Sequence, residues 1–253
     1  MIKKTKELKK QIQNCDSIEE RLKHLKDKYK GETAYILTCG PSLSEHNENE
    51  LNERLKDKLV MGIKQAYNKV SDIADFHLLN TYNLSPYSWN NDSIVYWSLS
   101  KSYADGQLQK IVNLNAPIDL YIPVINPPYI DRTKTTQATE NFDDFYMMEN
   151  QTEVMWGCGM MYEIGIPLAL LLGCKEIVAI GWDLGNSNEK FKHFDDDKVT
   201  RDCFPQDGEL EETIKSTIAL QKWFEDKNIT FKILSNQSHI NQNFERIQLK
   251  DIK

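Results

Sequence analysis

The sequence predicts a single α/β domain whose sheet is mostly parallel and carries helices on both faces. Short apolar runs of the kind that form buried strands alternate with longer stretches of helical periodicity. This alternation is typical of parallel sheets, because a crossover helix connects each strand to the next. The runs predicted as strands are residues 34–38, 59–63, 76–80, 93–99, 177–183 and 229–234.

The N-terminal part has the pattern of one or two amphipathic helices. Residues 2–29 carry apolar side chains at roughly helical intervals, and Asp16 or Ser17 can cap a helix there because acidic residues follow. We therefore expect a helical N-terminal extension, residues 1–30, ahead of a Rossmann-like domain of residues 31–253.

Two further helices and one irregular region are predicted within that domain. Residues 160–172 are apolar on most faces, which indicates a buried helix. Pro167 would bend it or mark its first turn, and Gly173 would end it. Residues 209–226 have helical spacing. Residues 100–150 are rich in proline and polar residues, which predicts an irregular insertion such as a lid or an acceptor-binding segment.

Composition limits the function classes. The chain has 253 residues, with 31 Lys plus Arg against 38 Asp plus Glu, a formal net charge of −7. An acidic chain is a poor general binder of nucleic acid, where a basic face supplies most of the affinity. A negative net charge is compatible with a local pocket that binds one small anion. With 40% hydrophobic and 27% charged residues, the composition is that of a globular protein.

The cysteines and the N-terminus point to the cytoplasm. Five cysteines are an odd number, and no Cys-x-x-Cys pair occurs, so we expect neither a disulfide framework nor a zinc site. The lysine-rich N-terminus lacks a following apolar segment, which argues against a signal peptide. The longest apolar run, residues 164–173, is shorter than the roughly 20 residues of a membrane helix. We expect a soluble protein with at most peripheral membrane contact.

The turn after the first predicted strand is a candidate nucleotide site. It runs from Thr38 to Leu43 and includes Gly40, Pro41 and Ser42. Ligands of open α/β sheets gather at the carboxyl ends of strands. A small residue there lets a ligand approach the backbone, and following amides and the serine hydroxyl can hold phosphate oxygens. The spacing matches neither a dinucleotide fingerprint nor a Walker A loop, so a plain structural turn is the alternative.

Two later turns offer further polar groups. Gly157, Cys158 and Gly159 open the apolar helix and can expose amides at the positive end of its dipole. Asp183 ends a predicted strand, where a carboxylate can hold a ribose hydroxyl, a metal or an acceptor hydroxyl. A tight helix-entry turn and a helix cap are the structural alternatives.

A charged loop follows that strand. Lys190, Lys192 and His193 can neutralise a phosphate, and His193 can act as a general base because its unperturbed pKa lies near neutrality. The aspartates at 195–197 are consecutive, and consecutive residues rarely present carboxylates to one ion. We therefore interpret them as a solvated acidic loop and predict no metal site.

Together, the motifs of this chain resemble those of the bacterial sialyltransferases of the Campylobacter type. YILTCGPSL resembles that family's GNGPSL nucleotide loop. GCGMMYEIGIPLALLLGCKEIVAIGWDL resembles its small-residue turn, apolar helix and GIDF strand, and ITFKILSNQS resembles its terminal strand and CPNS loop. The resemblance covers residues 30–83 and 154–244. A wider Rossmann-like group shares the pattern, including archaeal pterin pyrophosphokinases and flagellin nonulosonate transferases.

The resemblance implies an inverting transferase that uses a CMP-activated nonulosonic sugar and requires no metal or other cofactor. Its aspartate corresponds to Asp183. Carried over by position, the nucleotide-binding residues are Thr38, Gly40, Pro41, Ser42, Leu43, Lys64, Gln65, Asn80, Cys158 and Gly159, with Lys190 and Lys192 as cations for the phosphate.

The chain differs from the family at the residues that would bind the nucleotide and its phosphate. Thr38 stands where the family has glycine, and Cys39 stands where it has asparagine. The two tyrosines that steady the leaving phosphate are missing, with Gly185 and roughly Phe191 or Lys192 in their places. A lysine can replace a phenol donor there electrostatically.

The general base has three candidates. The family's histidine falls near Glu211 or Glu212 in this chain, and His193 is the third candidate. A carboxylate can do this work, since it only accepts a hydroxyl proton as the new bond forms.

The predicted partners are a CMP-activated acidic sugar, sialic acid or a relative such as Kdo, and a glycan acceptor. Two alternatives stay open: a pterin-type pyrophosphokinase that uses ATP and Mg²⁺ through Asp183 and the acidic loop, and a non-catalytic nucleotide-binding module of polysaccharide assembly. The oligomeric state, including a homo-oligomer, is also open.

Overall fold

The strands of the computed structural model form one sheet in which every pair of neighbours is parallel. They are β1 (Thr33–Leu37), β2 (Leu59–Ile63), β3 (Phe76–Leu79), β4 (Ile94–Ser100), β5 (Leu120–Ile125), β6 (Val154–Met155), β7 (Glu176–Ile180), β8 (Thr230–Leu234) and β9 (Glu245–Arg246). Their order across the sheet is β6-β5-β4-β3-β2-β1-β7-β8-β9. The structure describes residues 4–80, 87–100, 118–125, 140–146, 154–155, 159–183, 194, 209–234 and 244–252.

The strand order reverses between β1 and β7. From β1 the strands run outward in chain order to β6, and the chain then returns to place β7 on the other side of β1. The two strands pair directly, with Leu37 opposite Ile180 at their carboxyl ends. In open α/β sheets such a reversal leaves a crevice outside the carboxyl ends, where ligands bind. The loops that follow Leu37 and Ile180 therefore occupy the position that most often binds ligands in this kind of sheet.

Helices cover both faces of the sheet, which confirms the predicted α/β, Rossmann-like domain. Side chains alternate between faces along β1. Ile36 packs in the core that holds the apolar side chains of most helices, whereas Leu37 packs against the helix between β1 and β2. The described helices are α1 (Lys4–Gln13), α2 (Ile18–Leu25), α3 (Glu48–Leu55), α4 (Phe142–Phe145), α5 (Ile166–Leu171) and α6 (Glu209–Asp226), with 3₁₀ helices at Pro41–Glu45, Lys64–Lys69 and Leu249–Asp251.

The N-terminal helices belong to the main core. Ser17, one of the two residues predicted as a cap, caps α2 through its side chain. Leu8 and Ile12 are fully buried on α1 and pack in the same cluster as the central strands. The ammonium group of Lys9, buried on the same helix, lies 3.0 Å from a carboxylate oxygen of Asp119. Because that aspartate directly precedes β5, the buried ion pair ties α1 to the amino edge of the sheet.

The buried helix predicted at 160–172 is present, with two parts. A π-turn, Met161–Gly165, leads into α5, and Pro167 lies in the first turn of α5, one of the two positions that the sequence allowed. Gly173 follows the helix with a φ of +88°. This left-handed conformation favours glycine and ends the helix as predicted.

The prediction of irregular structure in residues 100–150 was wrong for two described segments. β5 pairs with β4 along its length, and α4 follows at Phe142–Phe145. Pro123 within β5 had argued against a strand. On the outer side, β5 pairs with β6 through Val124 and Ile125, beyond Pro123, and a proline is tolerated on such a sparsely paired edge. None of the helices in the described ranges combines the length and apolarity needed to cross a bilayer.

Candidate functional site

The loop after β1 is bonded to the end of β7. The amide of Thr38 donates to the carbonyl oxygen of Ile180 at 2.8 Å, and the amide of Gly40 donates to that of Gly181, also at 2.8 Å. The hydroxyl of Thr38 donates to the carbonyl oxygen of Gly181 as well. These hydrogen bonds extend the pairing of β1 with β7 beyond the ends of the two strands. Residues 38–43, named here the glycine loop, therefore lie against residues 181–183 at the crevice.

Two glycines make this close approach feasible. A Cβ added at Gly40 would lie 2.7 Å from a carboxylate oxygen of Asp183 and would collide with the Gly181 carbonyl. Gly181 has a φ of +73°, and a Cβ there would lie 2.7 Å from the carbonyl oxygen of Thr38. A side chain at either position would push the two loops apart.

Asp183 organises the glycine loop. Its carboxylate accepts a hydrogen bond of 2.6 Å from the amide of Ser42. The amide of Leu43 donates to the carbonyl oxygen of Gly40 at 3.1 Å, and Pro41 has no amide hydrogen. The amides predicted to cradle a phosphate thus have partners within the protein. The Ser42 hydroxyl is different: it is buried and has no hydrogen-bond partner in the part of the chain that the structure describes.

The ends of β2 and β3 bring further predicted residues to the same edge. Lys64 and Gln65 directly follow β2, and Asn80 directly follows β3. The thiol of Cys39 donates to the carbonyl oxygen of Ile63 at 3.3 Å, and its sulfur lies 3.9 Å from the side-chain oxygen of Gln65. Neighbouring strands are spaced by roughly 4.8 Å, so the residues after β1, β2 and β3 share one edge about 10 Å across.

Phe194 and two basic residues adjoin the glycine loop. The amide of Phe194 donates to the carbonyl oxygen of Cys39 at 3.0 Å, and the ammonium group of Lys69 lies 5.5 Å from the centre of the Phe194 ring. Burial lowers the pKa of His46, which lies within electrostatic reach of Asp183 and Lys69. Neither His46 nor Lys69 was identified from the sequence. Their position is the signal that could have identified them, since both lie within ten residues of the end of a central strand.

The turn before α5 contains a glycine with positive φ. Gly159 has a φ of +112°, and among the described residues no atom beyond its chain neighbours lies within 4 Å of a Cβ built there. Its carbonyl oxygen accepts hydrogen bonds from the amides of Tyr162 and Glu163, which start the π-turn. The backbone conformation therefore favours glycine at this position. Cys158, predicted beside it, lies outside the described residues, as do Lys190, Lys192 and His193.

The two candidate glutamates lie in the first turns of α6. Glu211 is exposed. Glu212 is half-buried, and its carboxylate pairs with the ammonium group of Lys215 at 3.3 Å. α6 is tied to the π-turn because the hydroxyls of Tyr162 and Thr217 lie 2.7 Å apart. Neither glutamate has a described contact with the glycine loop.

Among the described residues, no three or more His, Cys, Asp and Glu side chains are grouped so as to hold a metal ion. The aspartates at 195–197 lie outside that part of the chain. The described site is thus built from backbone, hydroxyl and amide groups around one carboxylate, Asp183.

No protein-family model and no curated protein matches the chain. Among solved structures, it is similar to a sialyltransferase from Campylobacter jejuni, determined in complex with a substrate analogue, cytidine-5'-monophosphate. The similarity covers 87% of this chain and 86% of that one, with 14% sequence identity and a TM-score of 0.40. Values this low carry no argument about ligand or activity.

Proposed function

We propose that the protein is an inverting glycosyltransferase that moves an acidic sugar from a CMP-activated donor to a glycan hydroxyl. The observation that carries the proposal is the junction of the glycine loop with Asp183 at the strand-order reversal, where α/β sheets bind nucleotides. The choice of CMP as the nucleotide rests on the sequence motifs at this junction and on their resemblance to the sialyltransferases.

The nucleotide would lie across the carboxyl edge of β1, β2 and β3. Ser42 supplies a buried hydroxyl without a described partner, which a phosphate or ribose oxygen would satisfy. Lys64, Gln65 and Asn80 supply a cation and two amides at the same edge. Asp183 would keep the loop in place because its carboxylate accepts the Ser42 amide, and the charge of a carboxylate repels an anion from that side.

The reaction would be one displacement. The acceptor hydroxyl oxygen attacks the anomeric carbon, the bond from that carbon to the CMP phosphate oxygen breaks, and CMP leaves with the bonding electrons. A base takes the hydroxyl proton. Negative charge grows on the leaving phosphate, so a cation there lowers the barrier; Lys190 and Lys192 are the proposed cations.

Among the three base candidates, one observation favours His193. Its neighbour in the sequence, Phe194, is hydrogen-bonded to Cys39 of the glycine loop. Glu212 is already paired with Lys215. Glu211 is exposed in the first turns of α6.

Thermal unfolding with nucleotides tests the binding step. CMP should stabilise the protein by about 2.7 kcal/mol at a concentration about 100-fold above its Kd. UMP and GMP should act more weakly. Ser42→Ala and Asn80→Ala should each reduce the shift, whereas Asn49→Ala, at an exposed position of α3, should not. Normal CMP binding by both site variants would reject this placement of the nucleotide, and stabilisation by ATP with Mg²⁺ but not by CMP would favour a pyrophosphokinase.

Release of CMP from CMP-nonulosonates tests the chemistry. His193→Ala should lower kcat by about 10²–10⁴-fold, the typical contribution of a general base. Glu225→Gln, at the far end of α6 from the candidates, is the matched control for Glu211→Gln and Glu212→Gln. CMP binding without turnover of any CMP-sugar would contradict the proposed activity and favour a nucleotide-binding module.

A further inference from the structure

Lys64, at the end of β2, has a left-handed backbone with a φ of +48°. Among the described residues other than glycine, Asp27 and Asn228 also have positive φ, but their short polar side chains tolerate it. For lysine this conformation is strained, and such strain persists only where the surroundings hold it. The contacts around Lys64 therefore decide how this residue and Gln65 are presented at the site.

The carbonyl of Lys64 is held by a buried histidine from the next strand. Nε2 of His77, on β3, lies 3.2 Å from the Lys64 carbonyl oxygen. A carbonyl oxygen only accepts hydrogen bonds, so Nε2 must carry the proton. Burial lowers the pKa of His77 to about 3, and the ring is neutral at physiological pH. The hydrogen bond thus selects one tautomer, with the proton on Nε2.

The imidazole ring is itself fixed. It stacks on the ring of Tyr67, with centroids 3.9 Å apart and planes inclined by 6°. The Tyr67 hydroxyl donates to the hydroxyl of Ser93 at 3.0 Å and accepts from the amide of Asn90 at 3.2 Å. A Cβ built at Gly62 would lie 2.5 Å from the Cα of Tyr67, so the 3₁₀ helix that begins at Lys64 is pressed against β2. His77 cannot shift without displacing this helix.

The same turn contacts the glycine loop. The thiol of Cys39 bonds to the carbonyl of Ile63, the residue before Lys64, and approaches the Gln65 side chain. A chain of contacts therefore runs from His77 through Lys64 and Gln65 to Cys39.

We propose that His77 is a positioning residue of the nucleotide site: by holding the carbonyl of Lys64, its ring maintains the left-handed turn that presents Lys64 and Gln65 at the carboxyl edge. Because His77 is fully buried, it would act on the nucleotide only through Lys64 and Gln65. The proposal rests on the proposed function for the identity of the nucleotide, but not for the role of His77 in the turn.

Paired variants separate the hydrogen bond from the bulk of the ring. His77→Leu removes the donor, and His77→Gln keeps an N–H near the Nε2 position. Losing a hydrogen bond of this kind corresponds to about a tenfold change. We expect His77→Leu to speed amide hydrogen exchange in residues 64–69 by about tenfold and to raise the KM for the CMP-sugar by a similar factor, with kcat little changed. His77→Gln should restore both values in part.

The hydrogen-exchange measurement tests the role of His77 in the turn independently of nucleotide binding. Unchanged exchange at 64–69 in a folded His77→Leu variant would overturn the proposal. If the exchange changes but the wild type binds no CMP, the proposed function fails and the role in the turn stands. If exchange changes and CMP affinity does not, the turn does not serve the nucleotide and the proposal is overturned.

A measurement on the wild type covers the case in which both variants fail to fold. ¹⁵N NMR of the imidazole should report the neutral tautomer with the proton on Nε2, without titration between about pH 5 and pH 8. A neutral ring with its proton on Nδ1 would show that Nε2 does not donate to the Lys64 carbonyl and would overturn the proposal.

Discussion

The carboxylate of Asp183 accepts a hydrogen bond from the backbone amide of Ser42 at 2.6 Å, although the two residues are 141 positions apart in the chain. Each residue follows the end of one of the two strands between which the sheet order reverses. The bond closes the crevice on one side and fixes the loop that the sequence motif had marked. Loss of this hydrogen bond should therefore disorder the glycine loop more than it destabilises the whole fold.

Asp183→Ala should loosen the glycine loop. The Ser42 amide would lose its acceptor in a partly buried place, which costs about 1–3 kcal/mol. We expect faster hydrogen exchange at Ser42 and a lower free energy of urea unfolding. Asp183→Asn retains an acceptor oxygen and should change both quantities less. Equal effects of the two substitutions would argue that charge, not the hydrogen bond, holds the loop.

Gly181→Ala should destabilise more than a matched glycine substitution elsewhere. Gly31 and Gly181 both have positive φ, so alanine at either adds about 1–2 kcal/mol of backbone strain. At Gly181 the new Cβ would also meet the Thr38 carbonyl oxygen at 2.7 Å, whereas at Gly31 no atom of the described residues beyond the chain neighbours lies within 4 Å. Urea unfolding of both variants measures the difference. Similar losses would mean that the loops can separate freely.

Lys9→Met should cost about 3–5 kcal/mol, because it leaves the buried Asp119 carboxylate without its cation. Asp119 also accepts from the amide of Val95 and from Gln13, so Asp119→Asn removes the charge while it keeps acceptor capacity. In the double variant the loss should be smaller than the sum of the two single losses. Additive losses would show that the two side chains do not interact.

His77 should make the protein less stable in acid. Its pKa is lowered from 6.5 to about 3 in the folded state, so between these values the unfolded chain binds more protons. Stability from this group is complete above about pH 6.5 and is lost as the pH falls, by at most about 1.4 kcal/mol per pH unit. Urea unfolding against pH measures this slope, and His77→Phe should flatten it. An equal slope in the variant would assign the effect to other groups.

Cysteine labelling should distinguish two sites. Burial raises the pKa of the Cys174 thiol to about 12, so this residue should react slowly with iodoacetamide at about pH 8. Cys39 is half-buried at the glycine loop and should react faster. Mass spectrometry of the labelled peptides should also show that CMP protects Cys39. Protection of Cys174 alone would place the nucleotide elsewhere.

Several elements could be predicted from the sequence because their signals are local. β2 was predicted at its observed bounds, Leu59–Ile63, and α6 at Glu209–Asp226. A run of buried apolar residues and a helical period need no knowledge of distant partners. β5 was missed because Pro123 is a local signal against a strand, and the sparse pairing on its outer side is not visible in sequence.

The candidate site was predictable in part. The motif from Thr38 to Leu43 and the strand end at Asp183 were identified from residue type and position. His77 was not identified from the sequence, because its hydrogen bond to Lys64 and its stacking on Tyr67 depend on the pairing of β2 with β3. The predictions for Cys158, Lys190, Lys192 and His193 lie outside the described residues and stay predictions.

The sequence by itself determined the α/β class, because strand and helix periodicities are properties of neighbouring residues. It also marked the turns where polar chemistry is concentrated. Only the tertiary structure decided which turns meet. The strand order brings Ser42 within hydrogen-bonding distance of Asp183, and His77 within hydrogen-bonding distance of Lys64. Such contacts join residues that are far apart in the chain, and the sheet brings them together because its parallel strands end at one edge.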